Sequence, residues 1–314
     1  ECACMNRLTS TKYIATSNVI KRVVFWGSLS VFLVVFAIVA PHLTTHDPIA
    51  TDLHAVNQAP TSEYLLGTDA VGRCILCRIL AGTQSSLLAA LAVVALCFVI
   101  GSLLGAISGF IGGKTDSVFM RITDAFMAFP QLVLSIAIAG LLGGGLVDAV
   151  IALCVPGWTR FARLARGQVL ALKGRTFVQA EQMSGLSKPM IAIKHVFPSV
   201  LPVLLVTACL DFGSTIPNLA GLSFLGLGAL PPAPELGSMI NQAAATFQLT
   251  PWAVFAPGAM IFILVLVFNM LGDAVNDFLG SKQENIDIEQ HGTRLFFHRS
   301  RTKAAAQSKL YESY

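Results

Sequence analysis

The chain has 314 residues, 54% of them hydrophobic and 12% charged, with a mean hydropathy of +0.70 and a net charge of +4. Soluble domains carry about a quarter of their residues as charges, so this composition sets much of the surface against lipid and excludes a water-soluble domain. No basic run is interleaved with aromatic residues in a polar segment, which excludes nucleic-acid binding.

Basic residues in 1–22 precede a first apolar run, Val23–Ala40, which is long enough to stay in the membrane and so predicts no cleaved signal. A polar stretch, 41–84, follows and carries Asp47, Asp52, Glu63 and Asp69. His42, His46 and His54 fall there at irregular spacing, the pattern of solvated loop residues and not of metal ligands. Cys74 and Cys77 make a C-x-x-C without a strand–helix redox context. Cys97, Cys154 and Cys209 lie in apolar runs, where a thiol behaves as a small hydrophobe.

The second run, Ser85–Ile111, carries Gly101, Gly105 and Gly109, with Gly113 following at the same four-residue spacing. Such spacing lines one helix face with glycines and lets a neighbouring backbone approach. Ser108–Thr115 nearly spells the phosphate-cradling G-x-x-x-x-G-K-[ST]. Ser108 holds the first glycine position, however, and the stretch ends an apolar helix instead of following a strand. ATP chemistry is therefore expected on another chain, and no cofactor on this one.

Four more apolar runs follow: Val118–Leu142, Leu146–Ala165, Val200–Ala220 and Val254–Leu271. Pro156-Gly157 interrupts the fourth run, and Arg160 and Arg163 stand close behind. Each run approaches the ~20 residues that cross the hydrocarbon, where backbone must be helical to be paired. The expectation is an all-α, polytopic membrane protein with six transmembrane helices spanning 23–280. With residues 1–22 inside, every Lys and Arg except Arg73 and Arg78 falls on the inner side, so both termini are read as cytoplasmic. Segments 41–84 and 221–252 then face outward. Gly167–Pro198, with Lys173, Arg175, Lys188 and Lys194, is a cytoplasmic loop, and 281–314 a basic, flexible tail.

Asp211 lies near the middle of the fifth run, where a carboxylate is costly and faces a cavity or the bundle interior. Thr207, Asp211, Ser214 and Asn218 recur at i, i+4, i+7 and i+11 and share one helix face. That stripe either lines a pathway, with Asp211 attracting cationic cargo, or forms a buried seam with Asp211 paired to an arginine. Asn269, Asp273 and Asp277, spaced by four, suit interhelical hydrogen bonds or a partner contact.

Gly67-Thr-Asp-Ala-Val-Gly-Arg73, Asp124-Ala-Phe-Met-Ala-Phe-Pro130, Leu222-Ser-Phe-Leu-Gly-Leu-Gly228 with Pro231-Pro232, and Phe268-Asn-Met-Leu-Gly-Asp273 occur in that order. Together they resemble the permease subunits of dipeptide/oligopeptide/nickel ATP-binding-cassette importers, over roughly residues 20–280. Gln179-Ala180-Glu181, then Gly185 and Pro198, resembles the EAA-x-x-x-G loop of binding-protein-dependent permeases. The resemblance implies a type I importer permease fold in a bacterial cytoplasmic membrane. It also implies a coupling helix that docks on an ATPase, and a complex with a homologous permease, two cytoplasmic ATPases and an extracytoplasmic binding protein. The chain itself would be no enzyme and hold no catalytic or metal site.

Gln179 stands where that family has Glu and Glu181 where it has Ala, which alters the acidic docking contact or moves it by two residues. Cys74 replaces the common Asp after Gly-Arg, and Leu219 stands where peptide-type members often have Glu. Leu210-Asp-Phe-Gly213 and Met239-Ile-Asn241 look more like the nickel or metal-chelate branch. Nickel, a metal chelate and a short peptide are all open as cargo. An ion-coupled secondary transporter would show inverted repeats and several intramembrane charges; one central carboxylate and no obvious repeat argue against it. A membrane-embedded enzyme is disfavoured because the histidines lie outside the apolar runs.

Overall fold

A computed structural model describes residues 2–44 and 46–280; the C-terminal tail 281–314 lies outside the described residues. The elements are α1 (Cys2–Val39), a 3₁₀ turn (Ala40–Leu43), α2 (Ile75–Ile111), α3 (Gly113–Met127), α4 (Gln131–Leu142) and α5 (Leu146–Lys173). After them come α6 (Thr176–Met183), α7 (Lys188–Ile191), a π turn (Ala192–Val196), α8 (Phe197–Phe224), α9 (Leu236–Ala244) and α10 (Trp252–Gly280). Among the described residues there is no strand beyond a single Thr68–Cys74 bridge.

By length and composition four stretches can each cross a membrane: Val19–Leu43, Ile75–Ile111, Lys194–Phe224 and Trp252–Gly280. The third apolar run is not one helix. It is the pair α3 and α4, bent by 86° where Pro130 breaks the chain, and a fifth span if the pair counts as one. A proline disfavours helical backbone in the residue before it, so Phe129 cannot carry α3 into α4. Helix α5 carries Asp148, Arg160, Arg163, Arg166 and Lys173 and is too charged to count among these stretches, although it is 28 residues long.

Several boundaries move from those drawn on hydropathy. Helix α2 begins at Ile75 instead of Ser85, α5 continues through Lys173 instead of ending at Ala165, and α8 runs to Phe224. The cytoplasmic loop drawn from 167 therefore starts at Gly174. The segment drawn as an outer loop, 221–252, begins as helix and contains α9.

The described residues divide into two compact units, one of 2–25 with 273–280 and one of 26–44 with 46–272. In the first, Arg22 donates to Asp277 at 3.1 Å. The second holds two apolar clusters. One gathers α2, α4, α5 and α8 around Phe161, Leu153, Leu204 and Leu219, all fully buried. The other sets Ile75, Ile79 and Leu87 of α2 against Leu236 of α9 and Leu264 and Phe268 of α10. Large apolar side chains such as Phe32, Leu91, Leu103 and Phe262 are exposed, as expected of a surface solvated by acyl chains.

The glycine stripe works for three of its four members. A Cβ on Gly101 would strike Trp158 and Phe161, on Gly105 the backbone of Ala162, and on Gly109 the Arg166 carbonyl at 3.1 Å. Helices α2 and α5 thus meet backbone to backbone. Gly113 breaks the pattern: it opens α3 with φ +64, and a Cβ there would touch nothing.

Candidate pathway and coupling loop

Helix α5 carries arginines at 160, 163 and 166, and each meets an aspartate on another helix. Arg160 Nη1 donates to Asp211 Oδ1 of α8 at 2.8 Å, and Arg163 Nη2 to Asp124 Oδ1 of α3 at 2.6 Å. Arg166 grips Asp116 with Nε and Nη2, and the Ser108 hydroxyl donates to the same carboxylate at 2.7 Å. Spacing by three residues keeps the arginines on one side of the helix. Ser108–Thr115, the stretch that nearly spells a phosphate loop, is accordingly the α2–α3 junction, pinned through Asp116.

The three pairs differ in exposure. At Arg166–Asp116 the side chains are 30% and 12% exposed. At Arg160–Asp211 the arginine is 57% exposed and the aspartate 14%. At Arg163–Asp124 the values are 48% and 60%. Asp211 is therefore the covered counter-ion of a guanidinium that faces outward from the helices. Along the same face of α8, Thr207 and Asn218 are half-buried and Ser214 is exposed, its hydroxyl donating to the Asp211 carbonyl at 2.9 Å. The stripe of four is thus brought together, and Arg160 joins it. Sequence reading noted Arg160 and Arg163 only as interruptions of an apolar run. Their spacing was visible there, but their partners, 51 and 39 residues away, were not.

Between α5 and α8 the chain folds into a compact unit. Gln179, Ala180 and Glu181 lie on α6, and Gly185 turns the chain at φ +84. The chain then passes through α7 and the π turn to Pro198 in the first turn of α8. Val178, Ile191 and Val196 are fully buried in the α2–α5–α8 cluster, which fastens the loop to the spanning helices. Glu181 is turned onto the loop itself, with Oε1 3.1 Å from His195 Nδ1. Ala180, Met183 and Gly185 are exposed, and a Cβ on Gly185 would meet no atom within 4 Å.

The remaining motif residues tie loops. Asp69 accepts from the Val71 and Arg73 amides and from Arg73 Nε at 2.7 Å. Arg73 and the fully buried Arg78 both reach Gln242 of α9, and Arg78 also donates to the Pro48 and Pro232 carbonyls. Cys74 caps α2 by accepting from the Cys77 amide at 3.3 Å, and its sulfur lies 2.7 Å from that of Cys77. His46 stacks on Tyr64, while His42 and His54 are exposed. Among the described residues no three His, Cys, Asp or Glu side chains come together as metal ligands.

Several long apolar helices with exposed apolar side chains among the described residues define a multi-pass membrane protein. Residues 101–285 match the model of the binding-protein-dependent transport system inner membrane component, and the chain belongs to that family. It is 42% identical over 253 residues to the probable D,D-dipeptide transport system permease protein DdpC of Escherichia coli (strain K12), covering 80% of this chain and 85% of that one. It is 39% identical over 247 residues to the nickel transport system permease protein NikC of the same strain (79% and 89%). Identity to the glutathione transport system permease protein GsiD of Pectobacterium atrosepticum is 37% over 257 residues (82% and 85%). In fold it is similar to an inward-facing structure of the MetNI methionine ABC transporter, with a TM-score of 0.51 and 18% identity over 64% of this chain and 97% of that one. The chain is a transport subunit of an ATP-binding-cassette importer and not a catalytic enzyme.

Proposed function

We propose that the chain forms half of the pore of an importer for nickel, a metal chelate or a short peptide. Its other half would be a homologous permease, with two ATPases bound on the cytoplasmic side and a binding protein delivering cargo outside. The distribution of Lys and Arg supports cytoplasmic termini and, with them, a cytoplasmic position for α6, α7 and the π turn. ATP would bind only to the partner subunits. Gln179, Ala180, Glu181, Gly185 and Pro198 then form the surface on which an ATPase pushes. Thr207, Asp211, Ser214 and Asn218 line the route between the two permeases.

The observation that carries this reading is the anchoring of the α6–α7 unit. Its exposed side carries Ala180 and Gly185, while its buried side is continuous with α5 and α8. A push on such a rigid element moves α5 and α8 together, which alternating access requires. Cysteines placed at Lys188 and Glu63 in a cysteine-free background test the topology. An impermeant thiol reagent on whole cells should label only position 63, and labelling at 188 would overturn the orientation. For the coupling role, the purified chain should be recovered with its ATPases, and deletion of 176–187 should lose them. Retention of the ATPases by the deletion variant would reject the docking surface.

A further inference from the structure

Asp211 lies near the middle of a span, Lys194–Phe224, and its partner Arg160 shares that depth. Arg160, Arg163 and Asp124 are each about half exposed. Exposed charges at such depth cannot face acyl chains and mark a water-filled path or protein. A second observation agrees: the α3–α4 break at Ala128–Pro130 leaves irregular backbone beside Asp124, with Phe129 61% exposed. Irregular backbone within a membrane is tolerated only inside protein or along a cavity.

The charges on this face cancel as two arginines against two aspartates. Asp211, however, is covered, so the face presents two guanidiniums and the Asp124 carboxylate. Asp124 is held by Arg163, which stands about 4.5 Å along the helix axis from Arg160, so a cargo of two extended residues, ~7 Å long, is of the length to reach from one guanidinium to the carboxylate on the next. A bare divalent cation gains little from such a face.

We propose that this face is a cargo-binding station for a small zwitterion, with the cargo carboxylate on Arg160 and its ammonium on Asp124. It rests on the pathway reading above. Asp211 acts as a positioning residue that holds the Arg160 fork, and Phe126 against Trp158, edge to face at 6.0 Å, braces α3 on α5 beside it. The station makes Arg160 a specificity determinant: molecules that lack a free carboxylate would not be held midway.

The test uses a cysteine at Ser214, the exposed position one turn from Asp211, in the assembled complex with the seven native cysteines replaced. Labelling by a small hydrophilic thiol reagent is followed with Ala-Ala, Ala-Ala amide, N-acetyl-Ala-Ala or Ni²⁺ present. Ala-Ala should slow labelling at least threefold, while the amide, the N-acetyl form and Ni²⁺ should not. Arg160→Gln should abolish the protection. Arg160→Gln/Asp211→Asn, which strands no charge, should insert normally and still show none. Protection by Ni²⁺ or the amide equal to that by Ala-Ala would overturn the station, as would protection that survives in the double variant. A Ser214→Cys that is accessible but never protected overturns the station alone; one that no reagent reaches overturns the pathway reading beneath it.

Discussion

The guanidinium of Arg166 meets the carboxylate of Asp116 fork to fork, Nε to Oδ1 at 2.5 Å and Nη2 to Oδ2 at 2.6 Å. Two charge-assisted bonds in this geometry lock the start of α3 to α5, and Ser108 adds a third bond from the end of α2. Asp116→Asn leaves a part-buried guanidinium without its carboxylate, at a cost of about 1.5–3 kcal/mol. Arg166→Lys keeps the charge but not the fork, and should lose about half as much. Thermal unfolding of the detergent-extracted protein should rank the wild type above Arg166→Lys and that above Asp116→Asn. Equal midpoints would show that the fork holds nothing together.

The glycine face gives a prediction with an internal control. Gly105→Val places branched carbons into the Ala162 backbone, where neither helix can yield without separating. Overpacking of that kind costs about 3 kcal/mol, and the protein should be lost from the membrane. Gly113→Ala meets only the strain of φ +64, about 1–2 kcal/mol, and should insert at near-normal levels. Immunoblots of membrane fractions read both, and comparable levels of the two variants would refute backbone packing of α2 on α5.

How much of this was legible from sequence depends on how far apart the interacting residues lie. Gly101, Gly105 and Gly109 were legible because a spacing of four is a local property of a helix. The rule failed at Gly113 because Gly112 and Gly113 both take positive φ and end the helix. Hydropathy registers no change of direction, so α3 and α4 read as one span, although Pro130 marked the break. The same averaging ended the fourth run at Ala165, since it counts Arg166 as a charge without seeing Asp116. Arg78 was read only as a charge on one side of the membrane. Its burial depends on carbonyls of Pro48 and Pro232, and no local pattern announces those. The coupling motif was found by resemblance, but the turning of Glu181 onto His195 needed coordinates.

Gly185 tests the coupling loop. Its φ of +84 is strained for any side chain, yet the space around it is open. Gly185→Ala should therefore assemble with a modest fall in thermal stability, about 1–2 kcal/mol, and keep most of the ATPase stimulation by the loaded binding protein. Gly185→Trp adds bulk on the exposed side and should abolish stimulation while the protein stays inserted. Normal stimulation in the Trp variant would reject docking at this loop.

The Arg160–Asp211 pair predicts an asymmetry. Arg160 is more than half exposed, so Asp211→Asn leaves a solvated cation and should cost about 0–1 kcal/mol. Asp211 is largely covered, so Arg160→Gln strands a buried carboxylate at about 1–3 kcal/mol. Thermal unfolding of the two variants should show the arginine change as the more damaging. The reverse order would mean that Asp211, and not Arg160, is the solvated member of the pair.

The central claim is that this chain moves cargo only when partner ATPases drive it. The direct measurement is uptake of labelled Ala-Ala and of ⁶³Ni²⁺ into proteoliposomes that hold the complete complex, with binding protein outside and ATP enclosed. Accumulation of one or the other should require enclosed ATP, stop when the ATPase subunits are omitted, and ignore an imposed proton or sodium gradient. Accumulation driven by such a gradient without ATP would contradict the account.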